Sequence, residues 1–214
     1  MSKKKKNGIT IARPSKQEVE KCLEEWKNLR NYVDQEAALD KLFKEDAVDN
    51  KDIRNVLLKA ATLNTFYSTN IYSIYPVVQR ICGIKDLDGR LAAGDISLVD
   101  DIKKVKIKDK KWKFFSFASK YCSHHNQDAF PIYDYYVEVM LEHFRDCKDV
   151  NGKSFAKFYN KDIEDSYKKF YEVVVAFRDA YGLDGFSLKE IDRYLWLTGK
   201  KYFPKDYGKS KKSK

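Results

Sequence analysis

The sequence predicts an all-α protein, folded as a single compact domain of about nine or ten helices. Apolar residues recur at helical spacing along nearly the whole chain. The clearest stripe consists of Ile163, Tyr167, Phe170, Val174, Phe177 and Tyr181. Only 9 Gly and 4 Pro occur among 214 residues, which argues against a loop-rich β protein. A hydrophobic content of 43% is sufficient to build a core and argues against global disorder.

Residues typical of helix N-termini predict where most of the helices begin. The residues expected at or near helix N-termini are Ser15, Asp34, Ile53, Thr69, Asp86, Ser97, Asp134 and Ser187. Ser15 and Ser187 each begin a capping box. The second helix is expected to end at Leu42, and the fourth, which contains Pro76, at Gly83.

The middle of the chain, 112–134, is expected to form a helix, a loop and an extended segment. Aromatic residues over 112–121 repeat at helical spacing and predict a buried helix. A polar loop is expected over 123–128. The segment 130–133 is expected to be extended, because Pro131 disfavours helix at the residue before it. We find no alternating pattern that predicts a strand and no domain linker.

The net charge of +10 comes from the two ends of the chain. The expected organisation is a basic tail over 1–12, one helical domain over 13–203 and a second basic tail over 204–214. Within the domain, residues 101–113 contain seven Lys and two Asp. A concentrated basic segment with a Trp is typical of a nucleic-acid contact. A solvated loop is the alternative interpretation, and the tails alone are compatible with a simple role in solubility.

Composition also limits location and cofactors. No apolar run approaches the ~20 residues of a membrane span, and no apolar stretch follows the first lysines as in a signal peptide. We therefore expect a cytoplasmic protein with no membrane partner and four reduced cysteines. A zinc site would have to draw on Cys122, His124, His125, His143 and Cys147. Their spacing matches no familiar metal motif, so we expect neither metal nor cofactor.

The unit 112–141 combines a lysine-bearing turn, a buried helix, a polar loop and the string F-P-I-Y-D at 130–134, which opens a second helix. It resembles the helix-hairpin-helix superfamily of DNA glycosylases, in which the Asp of a Pro-Val-Asp-like element opens the next helix. The resemblance implies that Asp134 is catalytic, and it places Lys113 where bifunctional members carry a Schiff-base lysine. Turn 108–111 has no Gly, so phosphate contact would depend on lysine side chains.

A second stretch, 68–82, is similar to the early helix of the 8-oxoguanine branch of that superfamily. By this likeness Ser68 lies nearest the residue that wedges into DNA in place of an extruded base, with Thr69 and Asn70 beside it. The expected pocket residues are Phe66, Tyr67, Tyr72, Trp112, Tyr133, Tyr136, His124 and His125. The expected phosphate-binding residues are Lys103, Lys104, Lys106, Lys108, Lys110, Lys111 and Lys120.

The resulting hypothesis is a monomeric enzyme that flips a modified base out of double-stranded DNA and hydrolyses its N-glycosidic bond, in repair or in defence against modified phage DNA. A fixed carboxylate suits this reaction because positive charge develops on the sugar. Asp134 is equally expected as an N-cap for stability alone, and aromatic residues at helical spacing usually form the core. The alternatives are a non-catalytic nucleic-acid-binding module and a helical protein-interaction domain.

Overall fold

The computed structural model describes residues 10–205, and most of these residues are helical, as the sequence predicts. The helices are α1 (Lys16–Lys27), α2 (Arg30–Lys41), α3 (Ile53–Phe66), α4 (Ile74–Cys82), α5 (Leu87–Ala92), α6 (Ser97–Lys103), α7 (Phe115–His125), α8 (Tyr135–Cys147), α9 (Asn160–Asp165), α10 (Tyr167–Ala180) and α11 (Leu188–Tyr202). A π-helical turn, Leu42–Asp46, continues α2. Strands β1 (Lys104–Ile107) and β2 (Lys110–Lys113) form a hairpin. The predicted basic tails lie largely outside the described residues.

Most predicted caps are found where local sequence places them. The side chains of Ser15, Asp134 and Ser187 accept hydrogen bonds from the first turns of α1, α8 and α11. The prediction that Asp34 caps the second helix is wrong, because α2 already begins at Arg30 and Asp34 lies inside it. The backbone carbonyl of Leu29 accepts the first N–H bonds of α2, so the helix starts without a side-chain cap.

The start of α4 also differs from the prediction. Thr69 does not cap this helix, because it lies in the preceding turn and its hydroxyl donates to Asn64 Oδ1 at 2.6 Å. The N-cap of α4 is Ser73. Pro76 is the third residue of α4, where its missing N–H removes no intrahelical bond.

The β-hairpin corrects the prediction that the domain has no strand. The string Lys104-Val105-Lys106-Ile107 alternates polar and apolar residues, and Val105 is buried on one face. The predicted helix over 112–121 therefore starts too early, since 110–113 is β2. Helix α7 in turn extends through His125, so only the end of the predicted loop over 123–128 is irregular.

The long apolar stripe that begins at Ile163 spans two helices. Helix α9 ends at Asp165, Ser166 is extended, and the Ser166 hydroxyl accepts from Lys169 N at the start of α10. Ile163 and the later members of the stripe are all buried. The break therefore changes the direction of the chain without exposing the apolar face.

The last helix brings the two ends of the domain together. Helix α11 packs against both α8 and α1, α3 packs on α4, and α6 packs on α7. Helix α7 is central, because its residues from Phe117 to His124 are all buried. Within residues 10–205, no helix combines the length and the apolar character needed to cross a membrane.

Gly199 allows the closest approach of α11 to α8, and its replacement gives a direct test of this packing. A methyl group at Gly199 would lie 2.6 Å from the backbone carbonyl oxygen of Tyr136. We expect Gly199→Ala to lower the free energy of unfolding by about 1–3 kcal/mol through overpacking, despite the better helix propensity of Ala. Denaturant unfolding measures the change. Gly185→Ala is the control, since a methyl group there meets nothing within 4 Å; equal stability of both variants would contradict this packing.

Candidate active site

A cavity of about 340 Å³, partly open to solvent, lies where α1, α2, α7, α8 and α11 converge beside the end of α3. Its volume falls in the range of natural small-molecule sites, about 300–1,000 Å³. Both aromatic rings and charged groups line it. Asp134, the residue singled out from the sequence, is one of the lining residues.

Local contacts fix the position of Asp134 at the start of α8. The Tyr167 hydroxyl donates to the Pro131 carbonyl at 2.8 Å, and the backbone N–H of Tyr133 donates to Ser119 Oγ at 3.0 Å. These bonds tie the segment before Asp134 to α10 and α7. Asp134 Oδ1 then accepts the N-cap bond from Tyr136 N at 3.0 Å. Asp134 is therefore a helix cap, but only one of its two oxygens is used for that purpose.

The second oxygen of Asp134 faces a buried lysine. Lys120 Nζ donates to Asp134 Oδ2 at 3.4 Å and to Ser116 Oγ at 2.6 Å, and it lies 5.1 Å from the centre of the Tyr67 ring. Only 2% of Lys120 is exposed. Burial lowers the pKa of the Lys120 ammonium below its ordinary value, while the carboxylates of Asp134 and Asp192 oppose that change. An amine with a lowered pKa beside a carboxylate is suited to nucleophilic chemistry.

Aromatic side chains from both ends of the chain form one wall of the cavity. Trp26 of α1 stacks on Tyr32 of α2 at a centroid distance of 5.8 Å, and Trp196 of α11 meets the edges of both rings. Tyr136 of α8 contacts Trp196 from the other side at 6.0 Å. All four residues line the cavity. Such a wall offers a face on which a planar ring can stack.

The charged groups of the cavity are predominantly basic. The cations are Lys120, Lys189, Arg193, Lys200 and Lys205, and the carboxyl groups are those of Glu36, Asp134 and Asp192. Glu36 is occupied by two of the cations, since it lies 3.1 Å from Lys189 Nζ and 2.6 Å from Arg193 Nη2. Lys200 lies over the Tyr32 and Trp196 rings. The excess of cations favours a ligand that carries negative charge.

Asp192 differs from the other two carboxyl groups in lacking a partner at one oxygen. Among the described residues, Asp192 Oδ1 is shielded from solvent and has no hydrogen-bond partner. Burial raises the pKa of Asp192 to about 7, although Lys189 and Lys120 act in the opposite direction. Near neutral pH a large fraction of this carboxyl is therefore protonated.

The turn after α3 brings part of the predicted wedge to the cavity. Tyr67 and Ser68 line it, and Ser68 has a positive φ of 48°. Thr69 and Asn70 do not line the cavity. Thr69 is bonded to Asn64, and Asn70 has a positive φ of 58° in the turn.

Several predicted pocket residues lie elsewhere. Lys113 is exposed on β2 and pairs with Asp165 at 2.8 Å, so the structure does not bring it to Asp134. Trp112 is 48% exposed on the same strand. Tyr133 packs under the site, where its ring stacks on Phe115 at 4.3 Å. Of the other stacking candidates, Phe66 and Tyr136 line the cavity, whereas Tyr72 is 99% exposed.

Neither of the two neighbouring histidines lines the cavity, since His124 is buried and His125 is half-buried outside it. His124 Nε2 bonds the Tyr67 hydroxyl at 2.9 Å, and His125 Nε2 lies 3.4 Å from both Lys59 Nζ and Asn50 Nδ2. Burial lowers the pKa of His125 to about 3. All four cysteines are free thiols, and within 10–205 no three His, Cys, Asp or Glu side chains are grouped as metal ligands would be.

The lysines of 103–120 divide into buried and exposed groups. Lys103 and Lys120 are wrong predictions for phosphate binding, because both are buried and their ammonium groups are bonded within the protein. The exposed lysines are Lys104, Lys106, Lys108, Lys110, Lys111 and Lys113. In the hairpin, Lys106 lies directly opposite Lys111 and Lys104 opposite Lys113. Like charges in such pairs destabilise a hairpin, so an external polyanion would relieve the repulsion.

The cavity residues on α1, α2 and α11 were not predicted from the sequence, because no local sequence pattern links them to Asp134. One signal was available for Asp192. It follows the buried Leu188 by four residues and precedes the buried Leu195 by three, so it lies on the apolar face of α11. An acidic residue at such a position is uncommon unless it is paired or functional.

Comparisons with known proteins give two matches. Residues 18–129 match the family HI_0787_N, which is described as an N-terminal domain. A protein of Haemophilus influenzae, described as uncharacterized, is 46% identical over 177 residues, which cover 83% of this chain and 78% of that protein. No solved structure matches. The matched range 18–129 contains Lys120 and ends before Asp134.

The raised pKa of Asp192 predicts a pH-dependent cost to stability. The folded protein holds this proton up to about pH 7, whereas the unfolded chain releases it near the ordinary aspartate pKa of 3.8. The group's contribution to stability is therefore lost as the pH rises from about 4 through 7. We expect Asp192→Asn to match wild type at pH 4 and to be more stable at pH 8 by about 4 kcal/mol, at roughly 1.4 kcal/mol per pKa unit.

Denaturant unfolding at several pH values measures this difference between variant and wild type. Asp184→Asn is the control, since Asp184 is exposed and the substitution should change stability by less than about 0.5 kcal/mol at any pH. A constant difference between Asp192→Asn and wild type from pH 4 to 8 would contradict a proton held by Asp192.

Proposed function

The chain belongs to the HI_0787_N family, and we propose that it is a DNA glycosylase-type enzyme that cleaves the N-glycosidic bond of a modified nucleotide extruded from a duplex. The observation that carries this proposal is the pairing of buried Lys120 with Asp134 in a cavity with aromatic walls. This pair takes the place that the sequence resemblance gave to Lys113 and Asp134. Lys120 is thus the proposed amine, and Lys113 is not.

The cavity suits an extruded nucleotide in size and chemistry. An enzyme that acts on a base must take it out of the stack and hold it between aromatic or apolar groups. Trp26, Tyr32, Trp196 and Tyr136 supply such surfaces. The cations at Lys200 and Lys205 are available for the attached phosphates.

The proposed reaction follows from the Lys120–Asp134 geometry. Neutral Lys120 attacks C1′ of the sugar with its lone pair, and the bond from C1′ to the base breaks. The base leaves with the electron pair of the broken glycosidic bond and takes a proton from solvent. Asp134 Oδ2 accepts the surplus proton from the new secondary ammonium and returns it to O4′ as the C1′–O4′ bond breaks and the sugar ring opens to a protonated Schiff base. Water then hydrolyses the Schiff base to the aldehyde, and Lys120 is released and returns its extra proton to solvent.

The hairpin is the proposed contact to the DNA backbone. Its six exposed lysines include Lys106 and Lys111 side by side. Helix α7 links the two parts, since β2 ends at Lys113 and Lys120 lies on the second turn of α7, roughly 8 Å along the helix axis from its first residue. One chain supplies the whole cavity, so we propose a monomer that acts on DNA in the cytoplasm, in repair or in defence against modified foreign DNA.

A non-catalytic nucleic-acid-binding module is the second candidate. The lysine hairpin favours it, because exposed cross-strand lysine pairs bind any polyanion. This function would not require a buried Lys120 beside a carboxylate. The two candidates therefore differ in whether Lys120 reacts.

Borohydride trapping tests whether Lys120 reacts. We expect wild type to form a covalent adduct with a duplex that contains an abasic site, because borohydride reduces the Schiff base to a stable amine. Lys120→Gln should lose the adduct by at least about a hundredfold, since it has no amine. Denaturing electrophoresis of labelled DNA measures the adduct, and peptide mapping identifies the modified residue.

Two further variants act as controls for trapping. Lys113→Gln should trap as wild type does, because Lys113 is exposed and paired with Asp165. Asp134→Asn keeps an N-cap residue and should fold, yet trapping and base release should fall at least about tenfold. Trapping that survives in Lys120→Gln and disappears in Lys113→Gln would overturn the assignment.

Salt dependence of DNA binding tests the hairpin. Each lysine that contacts a phosphate contributes about 0.9 to the slope of log affinity against log salt concentration. We expect a variant with Lys106→Gln and Lys111→Gln to reduce that slope by about 2. Fluorescence anisotropy with an undamaged duplex measures it. The matched control changes Lys148 and Lys153 to Gln, near the opposite end of α8 from Asp134, and should leave the slope unchanged; an equal loss in both variants would contradict a hairpin contact.

A further inference from the structure

Asp192 is the one carboxyl group of the cavity that the reaction above does not use and that no other cavity side chain satisfies. It lines the cavity from α11 and is more than nine-tenths buried. Its Oδ1 has no hydrogen-bond partner in the part of the chain that the structure describes. A buried polar atom left unpaired costs about 1–3 kcal/mol, so it needs an explanation. Asp192 also lines the cavity, so rotation of its carboxyl group can present an oxygen to a bound ligand, which then supplies the missing partner.

We propose that Asp192 determines which base is held in the cavity, by donating a hydrogen bond to a ring nitrogen or carbonyl oxygen on the edge of that base. This inference rests on the proposed function, because it requires an extruded base in the cavity. Glu36 cannot take this role, since Lys189 and Arg193 occupy its oxygens. Asp134 cannot take it either, because its oxygens serve α8 and Lys120.

The surroundings of Asp192 decide whether its carboxyl donates or only accepts. The titratable groups that act on it or are affected by its charge are Lys189 and Arg193 on α11, Lys120 on α7, Asp134 at the start of α8, Tyr67 after α3 and Tyr167 on α10. Despite three cations, burial raises the pKa of Asp192 to about 7. The carboxyl therefore donates at pH 6, and at pH 8 it is mostly an acceptor.

This chemistry selects a class of bases. A protonated carboxyl pairs with an edge that presents an acceptor, such as purine N7 or an exocyclic carbonyl oxygen. Because a site built to hydrogen-bond a ligand discriminates strongly against one that lacks the partner atom, loss of the donor should weaken specific binding more than general DNA binding.

Binding of uncleavable duplexes tests the inference. The probes are duplexes with a 2′-fluoroarabino nucleotide bearing hypoxanthine, 8-oxoguanine or uracil, and an undamaged duplex reports general DNA binding. Trp26 and Trp196 line the cavity, so quenching of tryptophan fluorescence reports a base that enters it. For the best-bound probe, wild-type affinity should fall about tenfold from pH 6 to pH 8, following the protonated fraction of a group with a pKa near 7.

Two variants distinguish the effect of the hydrogen-bond donor of Asp192 from the effect of its side-chain shape. Asp192→Asn should bind that probe equally at pH 6 and pH 8, because an amide donates at both. Asp192→Leu should bind it at least about fivefold more weakly than wild type at pH 6. All three proteins should bind the undamaged duplex alike.

The outcomes distinguish this inference from the proposed function. If Asp192→Leu keeps the affinity and the pH profile of wild type, the inference is wrong and the proposed function stands. If wild type shows neither quenching by any modified duplex nor trapping on abasic DNA, the proposed function fails and the role of Asp192 fails with it.

Discussion

The contact between Lys120 and Asp134 is the constraint on which the site depends. A buried ammonium needs a nearby anion, and this requirement holds the middle of α7 against the N-cap residue of α8. Removing one partner of such a pair usually costs about 3–5 kcal/mol, because the other charge is left buried and alone. The same contact faces the cavity, so stability and chemistry depend on one pair of side chains.

The packing of the last helix against the first helix completes the site around that pair. Helix α11 packs on α8 and α1, and it thereby brings Trp196 against Trp26 and Tyr136. Gly199 makes the approach possible, since any larger residue would press on the backbone of Tyr136. The aromatic wall is therefore a product of the packing of the two ends, and a cavity remains where the bulky rings cannot fill the space between five helices.

Local signals predicted more of the fold than of the site. The caps at Ser15, Asp134 and Ser187 depend on side chains within three residues of the bonds they make, so the sequence alone reveals them. The hairpin was not predicted, because each strand is only four residues long and β2 is exposed throughout. For the site, Asp134 was predicted to be catalytic, whereas Lys120 was predicted to bind phosphate and not to pair with Asp134. A lysine within a helix is ordinarily solvated, and its burial depends on tertiary packing.

Two carboxyl groups of the cavity, Asp134 and Asp192, lie in different environments, which indicates that they have different roles. Asp134 accepts hydrogen bonds from an ammonium and a backbone N–H, one at each oxygen. Asp192 is within electrostatic range of the same lysine but lacks a partner at Oδ1, and burial therefore favours its neutral form. One group is thus prepared to accept a proton and the other to donate a hydrogen bond. Environments that separate two acids in this way are typical of sites that perform acid–base chemistry at neutral pH.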